Sequence, residues 1–538
     1  MKIRRVLAAA LCTAVAVTSL AACSGSQSAG TESGSAQNGS TQESAGAADA
    51  ESNGEKGDPT TISIAYWDVE KALAGGESDA VLQKIQEDTN TVLTPVNITW
   101  DDYRQKIQLW ATQPGQLPDI FSIDVIGSSF YHNWTEQGVV APLPEDLSPW
   151  PALEEYMSSP DIQALRKEDG RFYTIPRTTW GDIKQCAMER RVYYRWDLAQ
   201  EAGVTKEPET YEEFRDMLRK IIAADPEGKS IAGMTVSIPQ LLDSFFMPYS
   251  VPLGMGDGSG SDFKWVEQDG KYVPAYFAGD LKAAFQLARD MYEEGTIDPD
   301  IALAKNQLSE DKFLQGGVAA YFVNTQSDLL AKKWNEVNPD KKFEDCVRIA
   351  PPFPGMDGTT TCPVFKTYWS ETYISAQAAD KMDAILDLYN YLLENDELIR
   401  YGFEGEDWEE QDGVIIQKTA DLAAKYPVTN MSGLVQNASW HRLELTGDPA
   451  RDLYRQMDID WWNMANEKCT VPEYEPSYTN ISTPTQNEFI IKPAEDLMTI
   501  MTGTEPVDKM YEDLMESYEK AGLSKMIEEV NEVINSQK

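Results

Sequence analysis

Two kinds of hydrophobic periodicity alternate along the first part of this chain. Residues 61–65 and 96–100 alternate apolar and polar positions with period two, as strands do, and residues 118–122 form a third short run. Between them, apolar side chains recur at helical spacing over 81–85 and 103–110. Strands that alternate with helices favour βαβ units, so we predict an α/β fold with a mostly parallel sheet that helices cover on both faces.

The carboxyl ends of these predicted strands carry the first candidate site. Ligands of open parallel sheets bind beyond the carboxyl ends of the strands. Trp67 and Asp68 follow the first strand, and Asp124 follows the third. We therefore expect these three side chains to lie near a ligand.

Hydrophobic stripes also occur late in the chain. Residues 382–393 and 507–518 have the helical period and predict core helices. Trp440, Trp461 and Trp462 lie between these stripes in segments of poor periodicity. We expect aromatic side chains in such segments to face a cleft.

The N-terminal segment has the pattern of a secretion signal. Basic residues open the chain, and an apolar run over 6–17 follows that is too short to cross a bilayer. The signal (1–22) ends in Leu-Ala-Ala before Cys23, which resembles the lipobox of bacterial lipoproteins. We predict a lipid on Cys23, with an ordinary signal and a chance cysteine as the alternative. Residues 23–59 are rich in Ser, Gly, Ala and Glu and predict a disordered tether.

Composition narrows the classes of partner and chemistry. Lys and Arg number 46 against 88 Asp and Glu, for a net charge of −42, which argues against nucleic acid as a partner and leaves the lipid as the membrane contact. With two histidines and no CxxC or HExxH spacing, we predict no metal and no cofactor. Cys346 and Cys362 flank a turn-rich segment, where either a disulfide or free buried thiols are possible.

One stretch resembles a known family. Residues 193–204 (YYRWDLAQEAGV) and 208–214 (PETYEEF) are similar to a segment of the extracellular solute-binding lipoproteins of ABC sugar importers, in particular the long subgroup of alginate-oligosaccharide-binding proteins. Weaker matches follow in the expected order over 117–120, 172–176 and 313–320. The resemblance implies a two-lobed periplasmic-binding-protein-like fold with a central cleft. It also implies a carbohydrate ligand, an oligosaccharide, and its delivery to permease and ATPase subunits.

The same resemblance implies a role and a location. The protein would be a monomer without enzymatic activity, anchored at the extracellular face of a Gram-positive cell membrane. Many members of the subgroup carry a calcium loop after the segment that matches 208–214. This chain has only Asp-Pro-Glu-Gly-Lys-Ser at 225–230, with Lys229 where a ligand would help. We therefore do not transfer the metal.

The resemblance divides the body into two lobes. Lobe 1 is predicted from residues 60–179 with 350–405, and lobe 2 from 180–349 with 406–538. Sugar receptors need flat aromatic faces and hydrogen-bonding groups around them. We therefore expect ligand contacts from residues at breaks between elements that have polar neighbours, and the resemblance also implies Asp124 and Asn324. The ligand-binding candidates are Trp67, Asp68, Asp124, Arg177, Trp180, Asn324, Trp369, Asp407 and Trp408.

Two other functions remain open from the residues alone. A surface glycoside hydrolase would hide its two carboxylates among many Asp and Glu residues, although no pattern selects a pair. A peptide receptor would use the same two-lobed fold. Product formation favours the enzyme, whereas stoichiometric binding without turnover favours a receptor.

Overall fold

The computed structural model describes residues 57–113, 115–180, 190–237, 251, 263–361, 366–411, 413–434, 445–473 and 475–537. The signal, Cys23 and nearly all of the predicted tether lie outside these residues. Trp440 and Cys362 also lie outside them, and Cys346 is buried as a free thiol. In the described part of the chain, no helix is both long and apolar enough to span a membrane.

The strands fall into two larger sheets and two hairpins. In chain order they are β1 (Thr60–Ala65), β2 (Thr91–Pro95), β3 (Ile120–Ile123), β4 (Ile175–Thr178), β5 (Arg191–Arg195), β6 (Ala232–Val236), β7 (Trp265–Gln268), β8 (Lys271–Pro274), β9 (Val318–Val323), β10 (Val347–Ile349), β11 (Tyr368–Ile374), β12 (Trp408–Gln411) and β13 (Val414–Gln417). β7 pairs with β8 and β12 with β13 as antiparallel hairpins.

The first sheet has the order β2-β1-β3-β11-β4. β1 is parallel to β2 and β3, as the periodicity predicts, but β11 enters antiparallel between β3 and β4. β2 also lies earlier than the predicted strand at 96–100. The reason is that the preceding helix stops at Asn90, whose left-handed backbone (φ 51°) turns the chain directly into Thr91.

The second sheet has the order β10-β5-β9-β6. β6 and β9 are parallel, whereas β5 runs antiparallel to both β9 and β10. All six residues of β9 are buried, as expected for a central strand covered on both faces.

Helices cover both sheets. The α-helices are Val69–Ala72, Ala80–Thr89, Tyr103–Ala111, Ser129–Glu136, Pro151–Met157, Pro160–Gln163, Trp196–Glu201, Tyr211–Ala224, Leu281–Glu293, Asn306–Leu314, Ser327–Val337, Phe343–Cys346, Met382–Glu394, Asp396–Tyr401, Leu422–Lys425, Pro449–Lys468, Pro484–Glu488, Pro493–Thr502, Val507–Ala521 and Leu523–Gln537. Short 3₁₀ turns lie at Gly76–Ser78, Ala275–Phe277, Ile301–Leu303, Ala376–Lys381, Pro427–Gly433 and Pro476–Asn480. Thr210 caps the helix Tyr211–Ala224, since its side chain accepts from Glu213 N.

Each sheet has its own hydrophobic core. One core draws its residues from 62–175 and 368–434, and the other from 194–350 and 481–534. The α/β, two-lobed architecture predicted from the sequence is therefore present. The packing places the return between lobes later than predicted, because Tyr426, Val428, Met431 and Leu434 belong to the first core. A hydrogen bond of 2.8 Å from Val428 N to the buried Asp79 Oδ2 attaches this segment to lobe 1.

Trp461 and Trp462 lie in the regular helix Pro449–Lys468 rather than in an irregular segment. The Trp461 side chain is buried, and its indole N–H donates to Ala350 O at 2.8 Å. The buried face of this helix is formed by Arg455, Asp458, Trp461 and Ala465. Two of these four residues are charged, so the sequence of this buried face does not show the hydrophobic period of a core helix.

Candidate functional site

The topology of the first sheet brings four chain segments to one edge. β1 ends just before Trp67, and β3 ends at Ile123, just before Asp124. β11 begins at this edge because it is antiparallel, and β4 ends there, since Tyr368 pairs with Thr178. The fold therefore brings together Trp67, Asp124, Arg177 and Trp369. The first and last of these residues are 302 positions apart in the sequence.

Four aromatic rings pack together at this edge, and we call them the edge aromatic group: Trp67, Trp100, Tyr103 and Trp369. The Trp67 ring centroid lies 5.0 Å from that of Trp369, 5.4 Å from Trp100 and 5.1 Å from Tyr103. Tyr103 is fully buried, Trp67 and Trp369 are half-buried, and Trp100 is 45% exposed. The group thus has a buried base and an exposed aromatic rim.

Arg177 lies against the two central rings of this group. Its guanidinium carbon is 5.2 Å from the Trp67 ring centroid and 4.7 Å from that of Trp369, within cation–π range. Its Nε donates to Trp369 O at 2.7 Å. Burial lowers the pKa of Arg177 to about 10, which still leaves the side chain charged at neutral pH.

Asp124 is held by two neighbours on the helix Tyr103–Ala111. Its Oδ1 accepts from the Tyr103 hydroxyl at 3.0 Å and from Arg104 Nε at 2.9 Å. Burial alone would raise the pKa of the Asp124 carboxyl, but the charge and hydrogen bonds of Arg104 outweigh it and lower that pKa. The carboxylate is therefore ionised and fixed in orientation.

A second ion pair lies at the beginning of β11. Glu371 is fully buried, and its Oε1 accepts from Lys366 Nζ at 2.7 Å. Its Oε2 accepts from Val125 N at 3.0 Å, immediately after Asp124. The polar floor of the edge is thus ordered by contacts between β11 and the end of β3.

Trp180 connects this edge to the second lobe. It is 3% exposed and belongs to a small cluster with Trp461, Ala465 and Cys469, against which Trp369 also packs. Arg191, at the start of β5, stacks over the Trp461 ring at 5.2 Å. Trp180 is therefore a packing residue between the lobes rather than an exposed platform.

Asn324 and Asp68 are not members of the edge aromatic group. Asn324 is half-buried and follows β9, whose last residue Val323 pairs with Arg191. Asp68 is exposed, begins the short helix Val69–Ala72 and pairs with Lys71 at 2.9 Å. Asn324 thus occupies the edge of the second sheet, whereas Asp68 lies beside the aromatic group.

A family profile decides what kind of protein carries this edge. The profile described as "Bacterial extracellular solute-binding protein" matches residues 74–399, more than half of the chain. The chain belongs to this family. Members capture solutes, so the edge of this solute-binding protein is a candidate for binding rather than for catalysis.

Individual relatives agree with the family and the fold. Lipoprotein LipO of Bacillus subtilis is 22% identical over 339 residues, which cover 59% of this chain and 62% of that protein's length. The alginate-binding protein AlgQ2, solved without calcium ion, superposes with a TM-score of 0.68 at 16% identity, covering 89% of this chain and 98% of its own. FusA of S. pneumoniae, solved with kestose, gives 0.65 at 16% identity and covers 89% and 99%.

Asp407 and Trp408 lie away from the edge of this solute-binding protein. Trp408 is 5% exposed, donates its indole N–H to Gly402 O at 3.1 Å and packs on Tyr401 with ring centroids 5.6 Å apart. Gly402 has φ 80°, and a Cβ there would lie 2.6 Å from Asp407 Oδ2. The ligand role predicted for the pair is therefore replaced by a structural one.

The oxygens of Asp407 are taken up within this segment. The side chain is fully buried and accepts from Lys425 Nζ and Thr419 Oγ1, both at 2.6 Å, and from Phe403 N at 2.9 Å. Burial would raise its pKa, but the hydrogen bonds from Lys425 and Thr419 lower it to about 2.

The candidate site also contains four residues that the sequence pattern does not mark as site residues: Trp100, Tyr103, Arg104 and Lys366. The periodicity of the sequence places Trp100 in a predicted strand and Tyr103 in a predicted helix. Both precede or open the helix Tyr103–Ala111, whose first turn lies at the sheet edge. The order of elements contains a usable signal, because a helix that follows a strand of a parallel sheet begins near the carboxyl end of that strand, where ligands bind.

The predicted departure at the calcium loop has a structural counterpart. Asp225 accepts backbone N–H groups from Lys229, Ser230 and Ile231, so its carboxylate closes its own turn. Lys229 Nζ donates to Glu227 at 2.7 Å. Among the described residues, no cluster of three or more His, Cys, Asp or Glu side chains could hold a metal ion.

Proposed function

We propose that this solute-binding protein captures a carbohydrate, an oligosaccharide, at the edge aromatic group and delivers it to the permease and ATPase of an ABC importer. The observation that carries the proposal is the group itself: half-exposed indole faces beside fixed polar side chains. Indole faces pack against the C–H faces of sugar rings. Asp124 and Arg104 offer acceptors and donors for the hydroxyls.

The solved neighbours give support of a weaker kind. One is named for alginate and another was solved with kestose. NgtS of Streptococcus pneumoniae, solved with Man5GlcNAc, matches with a TM-score of 0.55 at 18% identity, covering 89% of this chain and 99% of its own. Their ligands favour a saccharide over a peptide as the ligand of the edge aromatic group.

The proposal includes an anchor and a location. We infer that Cys23 carries lipid, that the tether holds the body at the extracellular face of a Gram-positive membrane, and that the body acts as a monomer. The relative from Bacillus subtilis is named a lipoprotein, which supports the anchor. Replacing Cys23 with Ser and fractionating the cells tests it, since the variant should leave the membrane fraction.

Thermal-shift screening against neutral and acidic oligosaccharides and short peptides tests the binding proposal. A ligand at 100 times its Kd adds roughly 2.7 kcal/mol to the free energy of unfolding. Calorimetric titration of the hits should give one site per chain, with the saccharide recovered intact. Binding of peptides alone, or release of cleaved sugar, would reject the proposal.

A further inference from the structure

The guanidinium of Arg177 is a buried cation whose hydrogen-bonding capacity is only partly used. The side chain is 6% exposed, and within the described part of the chain no group accepts from its Nη2. Its Nε donates to Trp369 O, so Nη2 is the buried nitrogen that remains without an acceptor among the described residues. A buried donor without an acceptor is costly, and an acceptor brought by a ligand would remove that cost.

The charges around Arg177 do not neutralise it. Glu371 is a carboxylate that acts on it electrostatically. Both oxygens of Glu371 already accept, one from Lys366 Nζ and the other from Val125 N. Asp124 is paired with Arg104 in the same way. Among the described residues, these two carboxylates are therefore each paired with another cation, and neither forms an ion pair with Arg177.

Two hydroxyls beside the same rings are also unused. Tyr66, immediately before Trp67, and Ser370, immediately after Trp369, are buried, and neither hydroxyl has a partner among the described residues. Tyr66 and Arg177 influence each other electrostatically, which places them near one another. The residues beside the central rings therefore offer an unpaired cationic donor and two hydroxyls, each of which can donate or accept a hydrogen bond.

We propose that the saccharide taken up at this edge is acidic, and that Arg177 receives its carboxylate. The inference rests on the proposed carbohydrate function and specifies its ligand class. A guanidinium matches a carboxylate through two parallel N–H···O bonds, and such charge-assisted bonds are stronger than those to a sugar hydroxyl. A net charge of −42 disfavours anionic ligands over most of the surface, so a local cation is needed to admit one.

The test compares sugars that differ only in charge. Trimers of galacturonate, mannuronate and glucuronate are titrated beside their methyl esters, which keep the size and the hydroxyls but lose the negative charge. Wild-type protein should bind at least one acid roughly tenfold or more tightly than its ester. That preference should weaken between low and high salt in the wild type, while binding of the ester should stay constant.

Two variants assign the preference to Arg177. Arg177→Met should bind acid and ester alike, and Arg177→Lys should retain part of the preference because it keeps the charge. Arg171→Met is the matched control, since Arg171 is an exposed residue paired with Glu145, and should behave as wild type. Unfolding curves for all three variants show whether each is folded at the temperature of titration.

The possible failures are distinct. If neutral sugars bind as well as acids, or if Arg177→Met keeps the wild-type ratio of acid to ester affinity, the acidic-ligand inference is overturned and carbohydrate capture stands. Loss of stability in both Arg177 variants with no salt-dependent preference in the wild type would overturn it as well, and would make Arg177 a packing residue. If no saccharide of either kind binds, the proposed function fails and the inference fails with it.

Discussion

Trp67 and Trp408 have the same local sequence pattern, a tryptophan beside an aspartate, and opposite surroundings. Trp67 follows β1 of a five-stranded sheet and is half-buried among three other rings and Arg177. Trp408 begins the hairpin strand β12, is 5% exposed and has its indole N–H satisfied by Gly402 O. Residue pairing alone therefore does not identify a site residue.

The difference lies in how many strands end at the same place. At the edge beyond β1, the ends of β3 and β4 and the start of β11 converge, so residues far apart in sequence form one surface. The β12–β13 hairpin has two strands, and the ring contact of Trp408 and the ion pair of Asp407 come from Tyr401 and Lys425 of the same segment. Convergence at a sheet edge is what makes an aromatic residue available to a ligand.

The largest effect is expected for Trp408→Ala. Truncating a buried tryptophan typically costs about 3–5 kcal/mol of unfolding free energy. Affinity for a saccharide identified in the screen should be unchanged at temperatures where the variant is folded. Denaturant unfolding and calorimetric titration measure the two quantities, and weaker binding with little loss of stability would return Trp408 to the site.

The reverse result is expected for Trp67→Ala. Losing a central ring of the edge aromatic group should weaken binding by about 2 kcal/mol, the size of a binding hot spot, with a smaller loss of stability than in Trp408→Ala. Leu109→Ala is the control, because Leu109 is 56% exposed on the same lobe. Unchanged affinity in Trp67→Ala would remove the distinction between the two tryptophans.

A smaller effect, on stability alone, is expected for Asp407→Asn. The folded-state pKa of Asp407 is about 2, below the unfolded value of roughly 3.9. The stabilisation is therefore fully present above about pH 4 and is lost as the pH falls towards 2. At pH 7 the variant should melt roughly 2–4 °C lower than wild type.

The pH series supplies the check on Asp407. The melting-temperature difference between wild type and Asp407→Asn should shrink as the pH is lowered from 4 to 2.5. A difference that stays constant over that interval would mean that ionisation of the Asp407 carboxylate does not stabilise the folded segment.

The smallest effect is expected for Trp100→Phe. The indole is 45% exposed and the replacement keeps an aromatic face, so stability and binding should both change by no more than about 0.5 kcal/mol. Titration beside Trp100→Ala measures it. A loss as large as that of Trp67→Ala would show that the ligand needs the indole itself.

Local pattern was sufficient to place half of the site. The period-two runs located β1 and β3, and the rule for parallel sheets then placed Trp67 and Asp124 at one edge, where the structure has them. Trp369 and Arg177 are ligand-binding candidates because of their polar neighbours in sequence, and they lie at the same edge. The pairing of β11 with β3 and β4 that brings them there could not be read from local periodicity.

The failures come from contacts between distant residues. Residues 406–434 join lobe 1 through packing and through the bond from Val428 N to Asp79, 349 positions away. The helix Pro449–Lys468 buries Arg455 and Asp458, so its inner face looks polar in sequence. A hydrophobic period reports burial only where the buried side chains are apolar.

The place of β11 in the first sheet also sets an order of assembly. β3 and β4 are joined through β11, and Ser122 meets Thr372 across 250 positions of chain. The strands of the second sheet all lie between Arg191 and Ile349. When the polypeptide is synthesised from its N-terminus, all four strands of the second sheet are therefore available before β11, the fifth strand of the first sheet. Pairing over such separations is slow. The sheet whose strands emerge first is completed last.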